Sequence, residues 1–269
     1  DRKTALALAQ AKEALLGNSS VNGIATESIE NPGRLPCPDL DNNGSSQGAL
    51  CASYVGRFPW KTLGLDDLRD GAGERLWYVL DAGFFDNGAA MNSALISEIE
   101  PYNPSLDVSG KKVVAVIIAP SQPLVGQQRD ILNENIFTNY LESYVNPTTI
   151  ISQSTSSSYN DRMITVTASE LFNVVTQRMI REFVKKLEEN GLDNPYPSSY
   201  PIMLRRTKIE ESPPLPPDTW TDNQWDNAVE SYVSTTIPAQ FTLMFKNCNS
   251  VFTVVRNGTS NSISRQGSC

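Results

Sequence analysis

Four cysteines fall into two pairs that are near neighbours in the chain, Cys37 with Cys51 and Cys248 with Cys269, and these pairs constrain the fold more than any other feature. Neither pair has the C-x-x-C spacing of a zinc or redox site. Three connectivities are formally open, and 37–51 with 248–269 closes the shortest loops and asks least of the tertiary structure. A loop of about 15 residues closed in this way is worth roughly 3 kcal/mol through chain entropy. Two disulfides imply an oxidising compartment: periplasm, cell surface or outside. The competing reading is free buried thiols.

The chain has 269 residues, 39% of them hydrophobic, enough to bury a substantial core. Its net charge of −8 repels phosphate backbones, so nucleic acid is not expected as a partner. There is no histidine, which removes the nucleophile–histidine–acid triad together with the commonest metal ligand and general base. Ser-Lys and paired-carboxylate chemistry stay open, but no carboxylate pair stands out by its sequence context. No run approaches the ~18 apolar residues of a membrane helix, and no charged-then-apolar leader opens the chain. The start at Asp1 rather than Met suggests a leader or anchor removed upstream.

Residues 2–16 are good helix formers with a thin apolar stripe, Leu8 and Leu15 seven apart and Ala5, Ala9 and Ala11 between them, and Gly17 is placed to stop the helix. Residues 18–32 read as a loop. A strand is expected over 75–80, and 111–120 is the clearest strand of all, a continuous apolar run suited to the centre of a sheet. The spacing of Ile131, Leu132, Ile136, Tyr140, Leu141 and Tyr144 predicts a helix over 127–145, followed by a Ser/Thr linker at 152–158. A long amphipathic helix follows over 168–190, with Thr167 and Glu170 as its capping pair, Leu171, Val174, Val175, Met179, Phe183 and Leu187 as its stripe, and Gly191 beyond its end. Seven prolines between 194 and 217 leave little regular structure there, apart from a short strand near 202–206. The last two strands, 240–246 and 251–256, form a hairpin, and Cys269 pins the tail to its turn.

Asp39, Asp41 and Asn43 followed by Gly44 place oxygen side chains at alternate positions before a sharp reversal, as at the start of a calcium loop. The twelfth position is Leu50 instead of a bidentate acid, so the plainer reading is an Asx-turn loop inside a disulfide, with Ca²⁺ the one cofactor the sequence suggests. Trp60 and Trp77 read as a ligand platform or as packing for that loop. Pro213 to Pro217 is a recognition segment or a stiff surface crossing. Trp220 and Trp225, flanked by Asp218, Asp222 and Asp226, read either as an exposed patch for glycan or protein contact or as core cover.

The block Gly33-Arg-Leu-Pro-Cys-Pro-Asp, the Asp41/Gly44 turn, Cys51, Gly56-Arg-Phe-Pro-Trp-Lys-Thr-Leu-Gly-Leu and Glu74-Arg-Leu-Trp-Tyr resembles bacterial prepilin-type proteins, the type IV pilin-like minor pilins and pseudopilins. Val113 to Pro120, Gly126-Gln-Gln-Arg, Tyr140-Leu-Glu and Asn160-Asp-Arg-Met-Ile continue the resemblance, which spans roughly residues 1 to 190. Ala72 stands where the family carries an aromatic before Gly73. The apolar half of the N-terminal helix and its processing site lie outside this chain. The resemblance implies that residues 2–16 are the soluble half of a spine helix, with Ala5, Leu8 and Leu15 on its assembly face. It also agrees with a cysteine-closed C-terminus.

The expected fold is α+β, a spine helix packed on an antiparallel sheet with a large helical and loop insertion. It is laid out as one domain over 1–269: helix 1–17, disulfide-clamped connector and first strand 33–80, insertion 121–235, and hairpin with disulfide tail 236–269. The expected function is a noncatalytic filament subunit. Its partners are other pilin subunits and, through the absent apolar helix, the inner membrane. It would stand on the periplasmic side of that membrane and then in a periplasmic filament or extracellular pilus. The alternatives are a surface adhesin binding a glycan or other surface ligand through the enlarged head, and an acidic hydrolase of the cell envelope.

Overall fold

A computed structural model describes residues 1–21, 31–48, 50–87, 89, 91–95, 104–146, 148–150, 158–189, 220, 223–236 and 239–269. The fold is α+β, and the strands pair almost entirely antiparallel. The chain divides into two compact units, one of Asp1–Ser19, Arg34–Asn87 and Glu100–Ala168, the other of Ser20–Gly33, Gly88–Ile99 and Ser169–Cys269. The segment expected as an insertion is thereby shared between them.

In the first unit, α1 (Arg2–Val21) runs straight through Gly17, one exposed glycine costing a helix only ~1 kcal/mol. Its buried stripe is Thr4, Ala7, Leu8, Ala11, Leu15 and Ser19, so of the three residues expected on an assembly face Leu8 and Leu15 are instead buried within the head, and only Ala5 is exposed. The Gly71 N–H donates to Thr4 Oγ1 at 2.9 Å, tying the first turn of the helix to the 70–73 turn.

The central sheet has the order β1 (Val55–Arg57), β2 (Trp77–Leu80), β5 (Ala115–Ala119), β8 (Arg162–Val166), every pair antiparallel. All five β5 residues are buried, as a strand covered on both faces requires. The expected 111–120 strand is nevertheless two strands. The Val113 N–H donates to Leu106 O at 3.0 Å, whereas the Val114 N–H donates to Val166 O at 2.8 Å. The backbone therefore changes sheets between these residues, leaving β4 (Lys111–Lys112) on the edge of a second small sheet ordered β4, β3 (Asp107–Val108), β7 (Thr149–Ile150), β6 (Tyr144–Asn146). Trp77, Val79, Val116 and Ile118 from one face of the central sheet join Val108, Tyr140, Leu141 and Ile150 in one apolar cluster.

The expected helix over 127–145 does not form. That stretch is a series of turns, a single 3₁₀ turn (Phe137–Asn139) and β6, with Ile131 and Leu132 exposed. The apolar spacing was helical, but polar groups decide the backbone. Asp130 Oδ1 accepts the Leu132 N–H at 3.0 Å, and the Arg129 guanidinium donates to the carbonyls of Ser121 and Asn139, which an intrahelical ladder would not present to it.

The second unit is a helix on a four-stranded meander. Helix α2 (Ala168–Glu189) buries Leu171, Phe172, Val175, Met179, Phe183 and Leu187 from one face, with Val174 at its margin. The strands are ordered β12 (Ser260–Gln266), β11 (Val251–Asn257), β10 (Ala239–Phe245), β9 (Val229–Thr236). The expected hairpin is β10–β11, and the tail beyond it is itself a strand, paired with β11 from Val251↔Gln266 to Asn257↔Ser260. Alternation along β10 turns Phe241, Leu243 and Phe245 inward, and Phe183 of α2 meets the Phe241 ring edge-on at 5.6 Å. In this unit the helix on the antiparallel sheet is therefore α2. The expected linker at 152–158 and the proline-rich segment at 194–217, with its short strand, lie largely or wholly outside the described residues.

Candidate functional site

Both disulfides form as the loop lengths favoured, Cys37–Cys51 and Cys248–Cys269, and no described cysteine is free. Inside the first, the Asp39 side chain is buried and works as a turn acceptor. Its Oδ1 takes the Asp41 N–H at 3.1 Å and its Oδ2 the Gly44 N–H at 2.7 Å. Burial pushes its carboxyl above the ordinary range, the Gly44 N–H pulls it back, and Asp41 adds to the rise. Asn43 Oδ1 accepts the Ser45 N–H, and its Nδ2 donates to Asp41 Oδ2. Asp39 and Asn43 thus spend side-chain oxygens on backbone N–H groups of their own loop, and Asp41 spends one on the Asn43 amide. Among the described residues no cluster of three or more carboxylate or thiolate side chains is placed to hold a metal.

The tryptophans also resolve into packing. Trp220 and Trp225 are both 0% exposed, so the aromatic patch considered for ligand contact is core. Trp220 lies 5.0 Å from the Phe183 ring and Trp225 5.2 Å from Phe245, which closes the aromatic layer of the second unit. Trp60 packs on Gly44, where an added Cβ would stand 2.4 Å from its ring.

What the first unit does bring together is a set of arginines that sequence reasoning left unassigned. Arg57 is 3% exposed, its guanidinium lying against both the Trp77 ring at 4.0 Å and the Tyr140 ring at 4.2 Å, and Arg129 lies over Tyr140 at 4.7 Å. Arg57 donates to Glu134 O through Nε and Nη2 and to Arg75 O through Nη1. Burial pulls its guanidinium below the ordinary value, with Tyr140, Glu74 and Glu134 pushing back. Arg75 clamps Asp67 in a two-pronged pair at 2.8 and 3.0 Å. Arg57, Arg75, Arg129, Tyr140, Glu74 and Glu134 line a polar cavity of about 260 Å³.

A chain of hydrogen bonds leads away from it. Arg129 lies 3.6 Å from Glu74 and donates to Gln127 Oε1, and Gln127 Nε2 donates to Glu142 Oε1. Glu142 Oε2 accepts the Asn160 N–H at 3.1 Å, and Asp161 Oδ2 accepts the Ser143 N–H at 2.8 Å. Two dipeptides, Glu142-Ser143 and Asn160-Asp161, thus hold one another reciprocally, each carboxylate gripping the other's backbone. Burial pushes Asp161 up to about 7; the Ser143 N–H opposes this, Glu142 adds to it, and the Ser143 hydroxyl and Arg129 offset part. Burial, followed by Asp161 and Glu142, likewise raises the Tyr159 phenol. Tyr159, Asn160 and Asp161 line a second cavity of about 670 Å³.

The signal for these groups was present in the short blocks of the sequence. Arg57 belongs to Gly56-Arg-Phe-Pro-Trp-Lys, Arg75 to Glu74-Arg-Leu-Trp-Tyr, Gln127 and Arg129 to Gly126-Gln-Gln-Arg, Tyr140 and Glu142 to Tyr140-Leu-Glu, and Asp161 to Asn160-Asp-Arg. Their meeting place was not legible, because it depends on how the turns between them fold. No family model, curated protein or solved structure matches the chain.

Proposed function

We infer that this chain is the head of a noncatalytic structural subunit, a minor pilin or pseudopilin, of a bacterial type IV pilus-like or type II secretion-like filament. The observation that carries the reading is the use made of the motif residues. Arg57 and Arg129 direct most of their donors to backbone carbonyls, and Asp39 accepts two backbone N–H groups, so the blocks that resemble prepilin-type proteins act as struts of a fold. Groups committed in this way are poor nucleophiles or bases.

The two disulfides fit a head that matures in an oxidising compartment. Assembly would run through a helix continuous with α1 and seated in the inner membrane before export to the filament. Leu8 and Leu15 serve the head itself, and the face bearing Ala5 and Leu6, the latter 53% exposed, is the one open to neighbouring subunits. Fusing an apolar helix of about 20 residues ahead of Asp1 should send the protein to the membrane fraction and allow it to co-purify with filaments in cells expressing the assembly machinery. A fusion that inserts in the membrane yet never enters filaments refutes the assignment. For the adhesin alternative, burial of Trp220 and Trp225 removes its proposed contact surface, and a ligand would have to be sought elsewhere on the head.

A further inference from the structure

The reciprocal pair of dipeptides leaves oxygen atoms unaccounted for. Asp161 Oδ1, Asn160 Oδ1 and Ser143 Oγ are all buried with no hydrogen-bond partner, in residues that the Ser143 N–H to Asp161 and Asn160 N–H to Glu142 bonds hold side by side. Asp161 is 5% exposed and Ser143 0%. A buried acceptor without a donor is costly, and a buried carboxylate oxygen more so. Asp161 Oδ1 and Asn160 Oδ1 are such acceptors, and the Ser143 hydroxyl beside them, which offsets only part of the effect of burial on Asp161, leaves them short of an electropositive partner.

The nearby protein cation does not supply it. Arg129 is committed to Gln127, to four backbone carbonyls and to Glu74, so its charge is shared with a carboxylate elsewhere. Water would satisfy hydrogen bonds but leave the charges of Glu142 and Asp161 unbalanced. Lys111 and Arg162 also line the 670 Å³ cavity, but both are exposed, where solvent screens them. The donor set is all oxygen, mixing carboxylate, amide and hydroxyl, and the cavity leaves room for water to complete a shell. That is the chemistry of a hard cation with six to eight oxygen ligands.

We propose that Asp161, Asn160 and Ser143, with Glu142 beside them, form a binding site for a divalent cation of the calcium type, distinct from the Asp39–Gly44 loop. The cation would cross-link the segments before β6 and β8 and so brace the edge of the central sheet.

The test is calorimetric titration of the chelator-treated 269-residue chain with CaCl₂ at pH 8, with thermal melts alongside and MgCl₂ as the comparison. The expected wild-type result is one site with a Kd on the order of 10⁻⁴ to 10⁻³ M, as in extracellular modules, and a melting point raised by ~3 °C at ten times Kd. Asp161→Asn should weaken binding at least ~10-fold, while the double variant Asp39→Asn with Asp41→Asn binds as wild type. Ser143→Ala, which deletes one neutral oxygen, covers the case in which Asp161→Asn does not fold, and should weaken binding several-fold. No heat and no melting shift at 10 mM CaCl₂ overturns the proposal. Binding that survives both Asp161→Asn and Ser143→Ala, or that is lost in the Asp39/Asp41 variant alone, does so equally.

Discussion

The last strand of the meander should depend on its disulfide. Along β12 (Ser260–Gln266) only Asn261 and Arg265 are half-buried and the other five residues are exposed, so burial contributes little to holding it. The anchors are at its end. Arg265 donates to Asn173 O at 2.8 Å and to Ser250 Oγ at 3.0 Å, the Cys269 N–H donates to Asn173 Oδ1 at 2.7 Å, and Cys248–Cys269 closes a loop with a sequence separation of 21. For a loop of that length the chain-entropy relation gives ~3 kcal/mol. If local opening of β12 draws on that term, replacing both cysteines by serine should lower the opening free energy by the same amount and speed amide exchange in β12 about 100- to 300-fold, with α2 and β10 changed far less. Hydrogen exchange read by mass spectrometry on wild type, the double Ser variant and reduced wild type provides the measurement. The freed β11 edge should also raise self-association, read by light scattering. Unchanged β12 exchange after loss of the disulfide would refute the reasoning and place the whole anchorage in the Arg265–Asn173 clasp.

Three further outcomes follow from the first unit. Gly44→Ala should cost about 2–3 kcal/mol in denaturant melts and change Trp60 fluorescence, because φ is +86° there and a Cβ would stand 2.4 Å from the indole; a neutral substitution would mean that Trp60 does not pack on this turn. Burial pushes the Asp67 carboxyl up, but its bonds to Arg75 and Arg69 outweigh that and hold it below its ordinary value. Its contribution is therefore present above the unfolded carboxylate range and lost as pH falls through the lower folded value. Asp67→Asn should cost about 1 kcal/mol at pH 7, the pair being partly exposed, and the difference from wild type should shrink towards pH 2; a difference that is constant with pH contradicts the ion-pair account. Tyr140→Leu removes the ring shared by Arg57 and Arg129 and should cost about 2–4 kcal/mol, whereas a cost below 1 kcal/mol would show that the two guanidiniums gain nothing from it.

Sequence alone determined what depends on local pattern. A continuous apolar run marked the buried β5, a 3.6-residue stripe marked α2 to within a residue or two, and short loops selected both disulfides, because burial of a face and closure of a short loop are encoded by neighbours in the chain. The same rule misled at 127–145, where helical spacing of Ile131, Leu132 and Ile136 was overridden by Asp130 and Arg129. Those side chains satisfy the backbone in turns, and an isolated apolar spacing contributes nothing until a surface exists to receive it. Tertiary structure alone decided that 111–120 serves two sheets, that Trp220 and Trp225 are core, that Arg57 lies against both Trp77 and Tyr140, and that Glu142 and Asp161 meet. Each depends on partners tens of residues away or on which face of an element is covered, and such pairings leave no period in the sequence to read.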